Sequence, residues 1–133
     1  MPIISDPLKN DPDIQSIPAH LHDQLLEYVN QNCCNSSLCL NSVADYMCTS
    51  IYAISRTFKE LTGVGFKEYV TGKRLQCACQ LLVSSDDPIG RIASASGFEN
   101  ATYFTTVFKR EFGIPPSRYR VVSRRAGKNQ NVR

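Results

Sequence analysis

Two sets of hydrogen-bonding side chains recur at helical spacing, and their chemistry suits contact with nucleic-acid bases. The sets are Tyr52, Ser55, Arg56 and Lys59, and, fifty residues later in each case, Thr102, Thr105, Thr106 and Lys109. Residues at i, i+3, i+4 and i+7 share one face of a helix. Hydroxyl, guanidinium and ammonium groups on such a face can bond to base edges in a DNA major groove. The competing interpretation is that each set forms the solvated face of an all-helical bundle.

An internal repeat connects the two sets. Residues 54–70 align with residues 104–120 at an offset of fifty, with four identities. The identical pairs are Phe58 and Phe108, Lys59 and Lys109, Gly63 and Gly113, and Tyr69 and Tyr119. Because a whole unit is duplicated with polar side chains of similar character at the same offset, the pattern favours a function for both faces over simple solvation.

Apolar spacing predicts the helix that presents each polar set. The residues predicted to face a core are Ile54, Thr57, Phe58 and Leu61 in the first copy, and Phe104, Val107, Phe108 and Phe112 in the second. The pairs Thr49-Ser50 and Glu99-Asn100 precede the two helices and are suited to cap their N-termini. Gly63 and Gly113 are suited to end them. The two copies therefore begin and end alike.

A short apolar helix is predicted immediately before each of these helices. The first spans residues 42–47 and the second residues 89–97. Their small residues, Ala44, Ala93 and Ala95, permit close approach of the following helix. Two helices joined by a turn of about three to four residues form a helix-turn-helix, so this motif is predicted twice.

Four segments that contain these motifs share the pattern of a known family. They are ISRTFKELTG, FKEYVTGKRLQCACQLL, IGRIASASGF and YFTTVFKREFGIPPSRYR. They resemble the DNA-binding region of AraC/XylS-type bacterial transcription regulators, over residues from about 38 to 120. The resemblance implies an all-α, homeodomain-like fold of seven helices, in which a central linker helix joins two helix-turn-helix units that read adjacent major-groove segments. It also implies double-stranded promoter DNA and RNA polymerase as partners.

The repeat and the resemblance divide the chain into five parts. These are a disordered linker or arm at 1–18, a first helix-turn-helix unit at 19–65, a central linker helix at 66–84, a second helix-turn-helix unit at 85–121 and a basic tail at 122–133. Many members of the family have a separate sensing or dimerisation domain ahead of this region. The chain is therefore expected to be the C-terminal piece of a larger effector-responsive regulator, and a free-standing small regulator is the alternative.

The central helix is expected to set the spacing of the two units. Residues 66–83 would span about 27 Å as a helix, which is near the roughly 34 Å between successive major-groove faces on one side of a duplex. Arg74 interrupts a mostly apolar stretch of this helix and needs a partner. The candidate partners are Glu68, Asp86 and Asp87.

Charge is distributed unevenly along the chain. The net charge is +3 overall, but residues 1–70 have a net charge of −4 and residues 71–133 a net charge of +7. This polarity suggests that the second half supplies most of the non-specific attraction to phosphate. The alternative is that the excess belongs to a disordered basic tail, which contains Arg124, Arg125, Lys128 and Arg133.

The remaining reactive residues show no catalytic or metal-binding pattern. The six cysteines include no C-x2-C pair, and His20 and His22 are spaced to face different sides of a helix. No enzyme activity, metal or other cofactor is therefore expected, although a thiol sensor and a helical protein-interaction module are alternatives from other classes. The sequence has no long apolar run and no signal peptide, so no membrane association and a cytoplasmic location are expected.

The two reading helices are predicted to be unequal. The base-reading candidates are Tyr52, Ser55 and Arg56 in the first helix, and Ala101, Thr102, Thr105 and Thr106 in the second. The phosphate-binding candidates are Ser50, Lys59, Asn100 and Lys109. Arg56 has a guanidinium group that can bond bidentately to guanine, whereas the matching residue is Thr106, at a position where the family often has arginine. The first helix is therefore expected to discriminate better between bases.

Overall fold

The computed structural model describes residues 16–131, with side chains described through residue 126, and it is all-α within that range. A 3-10 turn at Ala19–Leu21 precedes seven α-helices. These are α1 (His22–Asn32), α2 (Leu40–Met47), α3 (Ile51–Thr62), α4 (Phe66–Ser84), α5 (Ile89–Ala95), α6 (Ala101–Phe112) and α7 (Pro116–Asn131). The predicted all-α fold of seven helices is confirmed. In the part of the chain described, none of the helices combines the length and the apolar character needed to cross a membrane.

The chain packs as two compact units. Among the described residues, the first unit contains 16–32 and 37–71, and the second contains 33–36 and 72–131. Helix α4 contributes its N-terminal part to the first unit and its C-terminal part to the second. Each unit therefore has one complete helix-turn-helix, α2–α3 in the first and α5–α6 in the second.

The core of the first unit forms against α3. Ile54 and Phe58 are fully buried, and the ring of Phe58 meets Phe66 edge-on with 5.2 Å between centroids. Other fully buried side chains of this unit are Leu25, Val29 and Val43. Ile54, Thr57 and Phe58 thus face the core as their spacing predicts. A fully buried Phe contributes about 1.5–3 kcal/mol relative to an exposed one, so this face anchors the helix.

The core of the second unit combines aliphatic side chains with three phenylalanine rings. Its buried members are Leu75, Ala78, Leu82, Ile92, Ala93, Phe98, Phe104, Val107 and Phe108. The Phe104 ring lies 5.0 Å from that of Phe98 and 5.6 Å from that of Phe108, and Phe108 meets Tyr119 of α7 edge-on at 5.3 Å. These separations are those of favourable tilted and edge-to-face pairs. The rings hold α6 against α5 and α7.

Two residues predicted to face the core are partly exposed. Leu61 is 38% exposed, and the prediction for it is wrong. Phe112 is 42% exposed, but its ring lies 4.5 Å from that of the buried Phe108, so it packs at the edge of the core. Both lie in the last turn of their helices, α3 and α6. Apolar periodicity indicates the face of a helix on which a residue lies, but not where the elements packed against that face end.

Part of the predicted N-terminal arm is packed. Ile17 is only 4% exposed, its backbone N–H donates to the buried Thr57 hydroxyl at 2.7 Å, and the Nε2 atom of His22 lies 2.8 Å from its carbonyl oxygen. Ser16 also donates to Glu60 at 2.6 Å. The prediction of a disordered segment is therefore wrong for residues 16–18. Residues 1–15 lie outside the part of the chain that the structure describes.

Arg74 bonds to backbone oxygens. Its Nε donates to the carbonyl of Cys33 at 2.7 Å and its Nη2 to that of Asn35 at 3.0 Å. The predicted carboxylate partners are therefore wrong in all three cases: Glu68, Asp86 and Asp87. The physical reason is that backbone carbonyls are strong hydrogen-bond acceptors, and those of Cys33 and Asn35, in the segment after α1, satisfy the guanidinium without a carboxylate.

The same arrangement recurs fifty residues later. The Nε of Arg124 donates to the carbonyl of Val83 at 3.2 Å, and its Nη2 donates to that of Ser85 at 2.7 Å. Arg124 and both of its acceptors are each fifty positions beyond Arg74 and its two acceptors. The duplication is therefore longer than residues 54–70 and 104–120, and it includes an arginine that bonds to two backbone carbonyls shortly before each helix-turn-helix.

Helix α7 continues through the region predicted to be a tail. It ends at Asn131. The sequence predicts that the second unit ends at residue 121, so the helix continues past that boundary. Arg120 donates to the carbonyls of Leu82 at 2.9 Å and Asp87 at 2.8 Å, and Arg124 pairs with the Asp86 carboxylate at 2.8 Å. Residues 122–131 are therefore helical, and Arg124 attaches this part of α7 to the end of α4 through polar contacts.

Candidate nucleic-acid interface

The first helix-turn-helix has a tight turn between α2 and α3. Cys48 follows α2 in the left-handed conformation, with φ of 56°. The Ser50 hydroxyl accepts a hydrogen bond from the Ala53 N–H at 3.1 Å and so caps α3 as predicted. Gly63, with φ of 80°, ends the helix as predicted and donates its N–H to the Lys59 carbonyl. Local capping therefore fixes both ends of α3.

Helix α3 presents the predicted polar set on the side away from its core. Ala53, Ile54, Thr57 and Phe58 are buried. Tyr52, Ser55 and Arg56 are half-buried, and Lys59 is exposed. The structure thus brings the four polar side chains together on one accessible face. This face offers a phenol, a hydroxyl, a guanidinium and an ammonium group, which can donate to base edges and phosphates.

The second helix-turn-helix repeats this design with a different turn. Asn100 caps α6, its Oδ1 accepting from the Tyr103 N–H at 3.0 Å, and Gly113 ends α6 with φ of 81°. Both residues fulfil their predicted structural roles. The turn also contains Gly97, with φ of 100°. A methyl group added there would lie only 2.7 Å from the carbonyl oxygen of Cys33, so the backbone of the turn is packed closely.

Helix α6 presents a less polar face than α3. Ala101, Thr102, Thr106 and Lys109 are exposed, and Thr105 is half-buried. The Thr106 hydroxyl donates to the carbonyl of Thr102 within the same helix at 3.0 Å. Thr106 occupies the position that corresponds to Arg56 in the repeat, and its hydroxyl proton is engaged in this hydrogen bond within the helix. Apart from the Lys109 ammonium group, the contacts available on this face are short hydroxyls and methyl groups.

An open cleft beside the start of α6 was not predicted. Its volume is about 220 Å³, and its lining includes Arg74, Glu99, Asn100 and Tyr103. Tyr103 is 46% exposed, whereas Ala53, its counterpart in the repeat, is 4% exposed. The offset of fifty would have placed Tyr103 in the core, so the repeat contained no signal for this exposed ring. Exposed Arg110, which pairs with Glu111 at 3.5 Å, is a further cation on α6 that sequence analysis did not single out.

No group of three or more potential metal-binding side chains occurs within the described range. The Nε2 atom of His22 lies 2.8 Å from the Ile17 carbonyl oxygen, which gives this ring a local structural role.

Comparison with known proteins identifies the family. A family model described as a helix-turn-helix domain matches residues 43–121. The chain is 37% identical over 102 residues to the bifunctional transcriptional activator/DNA repair enzyme AdaA of Bacillus subtilis, a match that covers 77% of this chain and 48% of AdaA. It is 30% identical over 99 residues to the multiple antibiotic resistance protein MarA of Salmonella typhimurium, with 77% of each protein covered.

A solved structure agrees with these matches. The C-terminal domain of AraT, a response regulator from Geobacillus stearothermophilus, is similar with a TM-score of 0.72 and 33% identity, over 75% of this chain and 83% of that domain. The chain spans about half the length of AdaA. Two helix-turn-helix motifs, their accessible polar faces and these similarities lead to one conclusion. The chain belongs to the AraC-type helix-turn-helix family, the DNA-binding domains of transcription regulators.

Proposed function

We propose that the chain binds double-stranded promoter DNA sequence-specifically, with α3 and α6 reading adjacent major-groove segments. The observation that supports this most strongly is the pair of capped helices with polar faces opposite their cores, fifty residues apart. A helix-turn-helix places its second helix in the major groove, where each base pair has a distinct hydrogen-bonding pattern. The chain would then contact two short blocks of one asymmetric site.

The base-reading residues we propose are those predicted from sequence. They are Tyr52, Ser55 and Arg56 on α3, and Ala101, Thr102, Thr105 and Thr106 on α6. Arg56 can form two parallel hydrogen bonds to guanine, while Thr106 has its hydroxyl proton engaged with Thr102. In this proposal α3 discriminates strongly between bases, and α6 contributes mostly methyl and short hydroxyl contacts.

We propose that Ser50, Lys59, Asn100 and Lys109 bind phosphates and so fix the register of each helix. Ser50 and Asn100 each use an oxygen to cap a helix, which retains the hydroxyl proton of one and the amide protons of the other as donors. Both stand at helix N-termini, where the helix dipole favours an anion. Lys59 and Lys109 are exposed cations on the same helices. Such contacts supply affinity without sequence discrimination.

The test compares Arg56→Ala with Thr106→Ala, its matched control at the same position of the repeat. Each variant is titrated against a set of duplexes that differ by single base pairs. We expect Arg56→Ala to lose about 1–3 kcal/mol of discrimination at one base pair, or about 5- to 150-fold in Kd, and Thr106→Ala to change little. Arg56→Lys, which keeps the charge but not the planar fork, should also lose discrimination. Equal losses from the two alanine variants would contradict the asymmetry.

We further propose that the segment acts by binding rather than catalysis, within a cytoplasmic regulator that recruits RNA polymerase and activates transcription. The name of AdaA describes an activator, and the match covers about half of that protein. A sensing or dimerisation domain is the partner proposed for the remainder of such a regulator. Transcription from a template with the selected site, with and without the protein, tests the direction of the effect: a fall in transcript would contradict activation.

A further inference from the structure

Two cysteine thiols from distant parts of the sequence meet in the second unit. The Sγ of Cys34, in the segment after α1, lies 3.2 Å from the Sγ of Cys77 on α4. Arg74 lies one helical turn before Cys77 and donates to the carbonyls of Cys33 and Asn35, the two residues that flank Cys34. One guanidinium therefore fixes the backbone on both sides of Cys34, which places its thiol opposite Cys77.

We propose that Cys34 and Cys77 are a reversible thiol–disulfide pair. A disulfide has an S–S distance of about 2.05 Å, so the two sulfurs need to approach by little more than 1 Å, a distance of the order that small side-chain rotations supply. None of the six cysteines, all of which lie in the described range, forms a disulfide in this structure, and Cys39 and Cys48 are exposed. The pair closes a loop that contains the whole of α2 and α3.

The oxidant in this proposal is a low-molecular-weight disulfide, RSSR. One protein thiolate attacks RSSR, forming a mixed disulfide and releasing RS⁻, which takes up the thiol proton as RSH. The second protein thiol loses its proton and attacks the mixed disulfide, forming the Cys34–Cys77 bond and releasing the second RSH. The two protein thiols are oxidised by two electrons, and RSSR is reduced to two RSH.

The environment of Cys34 keeps its thiol protonated. Partial burial of the thiol and its hydrogen bond to Cys77 raise the pKa of Cys34 to about 12. A thiol of that pKa is almost entirely protonated at neutral pH and is a poor nucleophile in that form. Attack by Cys34 is therefore slow at neutral pH and accelerates as the pH rises. A rate that did not increase with pH would contradict this reading of the site.

The pair also lies against the turn that precedes α6. A methyl group placed on Gly97 would come within 2.7 Å of the Cys33 oxygen and within 3.0 Å of the Cys34 carbonyl carbon. Because the turn packs on this backbone, drawing Cys34 towards Cys77 displaces the surface on which the start of α6 is seated. The disulfide thus changes the presentation of the second reading helix, an effect that rests on the function proposed above.

The first experiment detects the bond without any use of DNA. The full chain is incubated with glutathione disulfide and then analysed by intact mass and by peptide mapping without reduction. We expect a loss of about 2 Da and a cross-linked peptide that joins Cys34 to Cys77. The cross-link should be absent from Cys34→Ser and Cys77→Ser and present in the matched control Cys39→Ser. Glutathione adducts alone, or a cross-link that persists in Cys34→Ser, would overturn the proposal.

The second experiment measures DNA affinity of the reduced and cross-linked forms. The wild type should change its Kd by about fivefold or more on oxidation, the low end of typical coupling between sites. Cys77→Ser should show the same Kd before and after the treatment. A cross-linked protein with unchanged Kd would overturn the coupling to α6. Absence of specific binding in both forms would instead count against the proposed function, since the mass measurement stands independently.

Discussion

Substitution of Gly97 by alanine tests the close packing of the turn before α6. Gly97 has φ of 100°, and an added methyl group would meet the Cys33 oxygen at 2.7 Å and the Arg74 Nε at 2.8 Å. Gly113 is the matched control, because it has a similar φ of 81° but nothing within 4 Å of an added methyl group. The pair separates backbone strain, which both variants share, from steric collision, which only one has.

The expected magnitudes follow from these contacts. A non-glycine residue in the left-handed region costs about 1–2 kcal/mol, and the loss of unfolded-state freedom from Gly to Ala returns about 0.4–1 kcal/mol. We therefore expect Gly113→Ala to cost about 1 kcal/mol. Gly97→Ala must also displace the Cys33 backbone or break the charged hydrogen bond from Arg74, which adds about 1.5–3 kcal/mol. Its total cost should be about 2.5–4 kcal/mol.

The assay is urea unfolding of the wild type and both variants, followed by far-ultraviolet circular dichroism, with comparison of midpoints at equal slopes. A difference of about 2 kcal/mol or more between the two variants is the expected result. Equal destabilisation by Gly97→Ala and Gly113→Ala would refute the reasoning, because it would show that the turn does not rest against the Cys33–Cys34 backbone.

Further predictions concern the two cores and one ion pair. Thr57→Val should lower the free energy of unfolding by about 1–3 kcal/mol in the same urea assay, because it removes the acceptor of a buried backbone N–H. Phe108→Ala should cost about 3–5 kcal/mol and Phe112→Ala clearly less, since Phe112 is 42% exposed; equal losses would contradict the placement of Phe112 at the edge of the core. The hydrogen bond from Arg124 holds the pKa of Asp86 below its usual range. Its stabilisation is therefore present above the unfolded-state pKa and lost as pH falls through the folded one, so the stabilities of wild type and Asp86→Asn should converge as the pH falls below about 4. A constant difference across that range would contradict a folded-state pair.

Local signals in the sequence were sufficient for the helices of both motifs. Ser50 and Asn100 cap, and Gly63 and Gly113 terminate, because each of these roles depends on the residue itself and its immediate neighbours. The repeat added the correspondence between α3 and α6, which no single helix would have shown. The polar faces followed directly from the same spacing.

The failures have a common physical cause, which is contact between residues distant in sequence. Ile17 is buried because Thr57, forty positions away, offers an acceptor. Arg74 bonds to carbonyls forty-one and thirty-nine positions earlier, where charge matching had suggested carboxylates. Tyr103 is exposed although its counterpart in the repeat is buried. Neither periodicity nor composition encodes which surface an element meets.

The Cys34–Cys77 pair is another contact between residues that are distant in sequence. Spacing alone gave no reason to connect the two residues, since they are separated by forty-three positions and belong to no metal-binding pattern. Their proximity follows from the hydrogen bonds that Arg74 donates to the carbonyls on either side of Cys34. Arg124 donates the equivalent pair of hydrogen bonds fifty residues later, so this arrangement recurs in the repeat.

The proposal that α3 and α6 both read bases is tested most directly by selecting bound duplexes from a random DNA library. The selection is made at near-physiological salt and is followed by sequencing. We predict two enriched blocks about one helical turn apart, with the stronger block lost in Arg56→Ala. Salt matters because phosphate contacts alone retain DNA at low ionic strength. Retention of DNA without any enriched sequence would contradict the proposal, since it would mean that the chain binds phosphates and that α3 and α6 do not read bases.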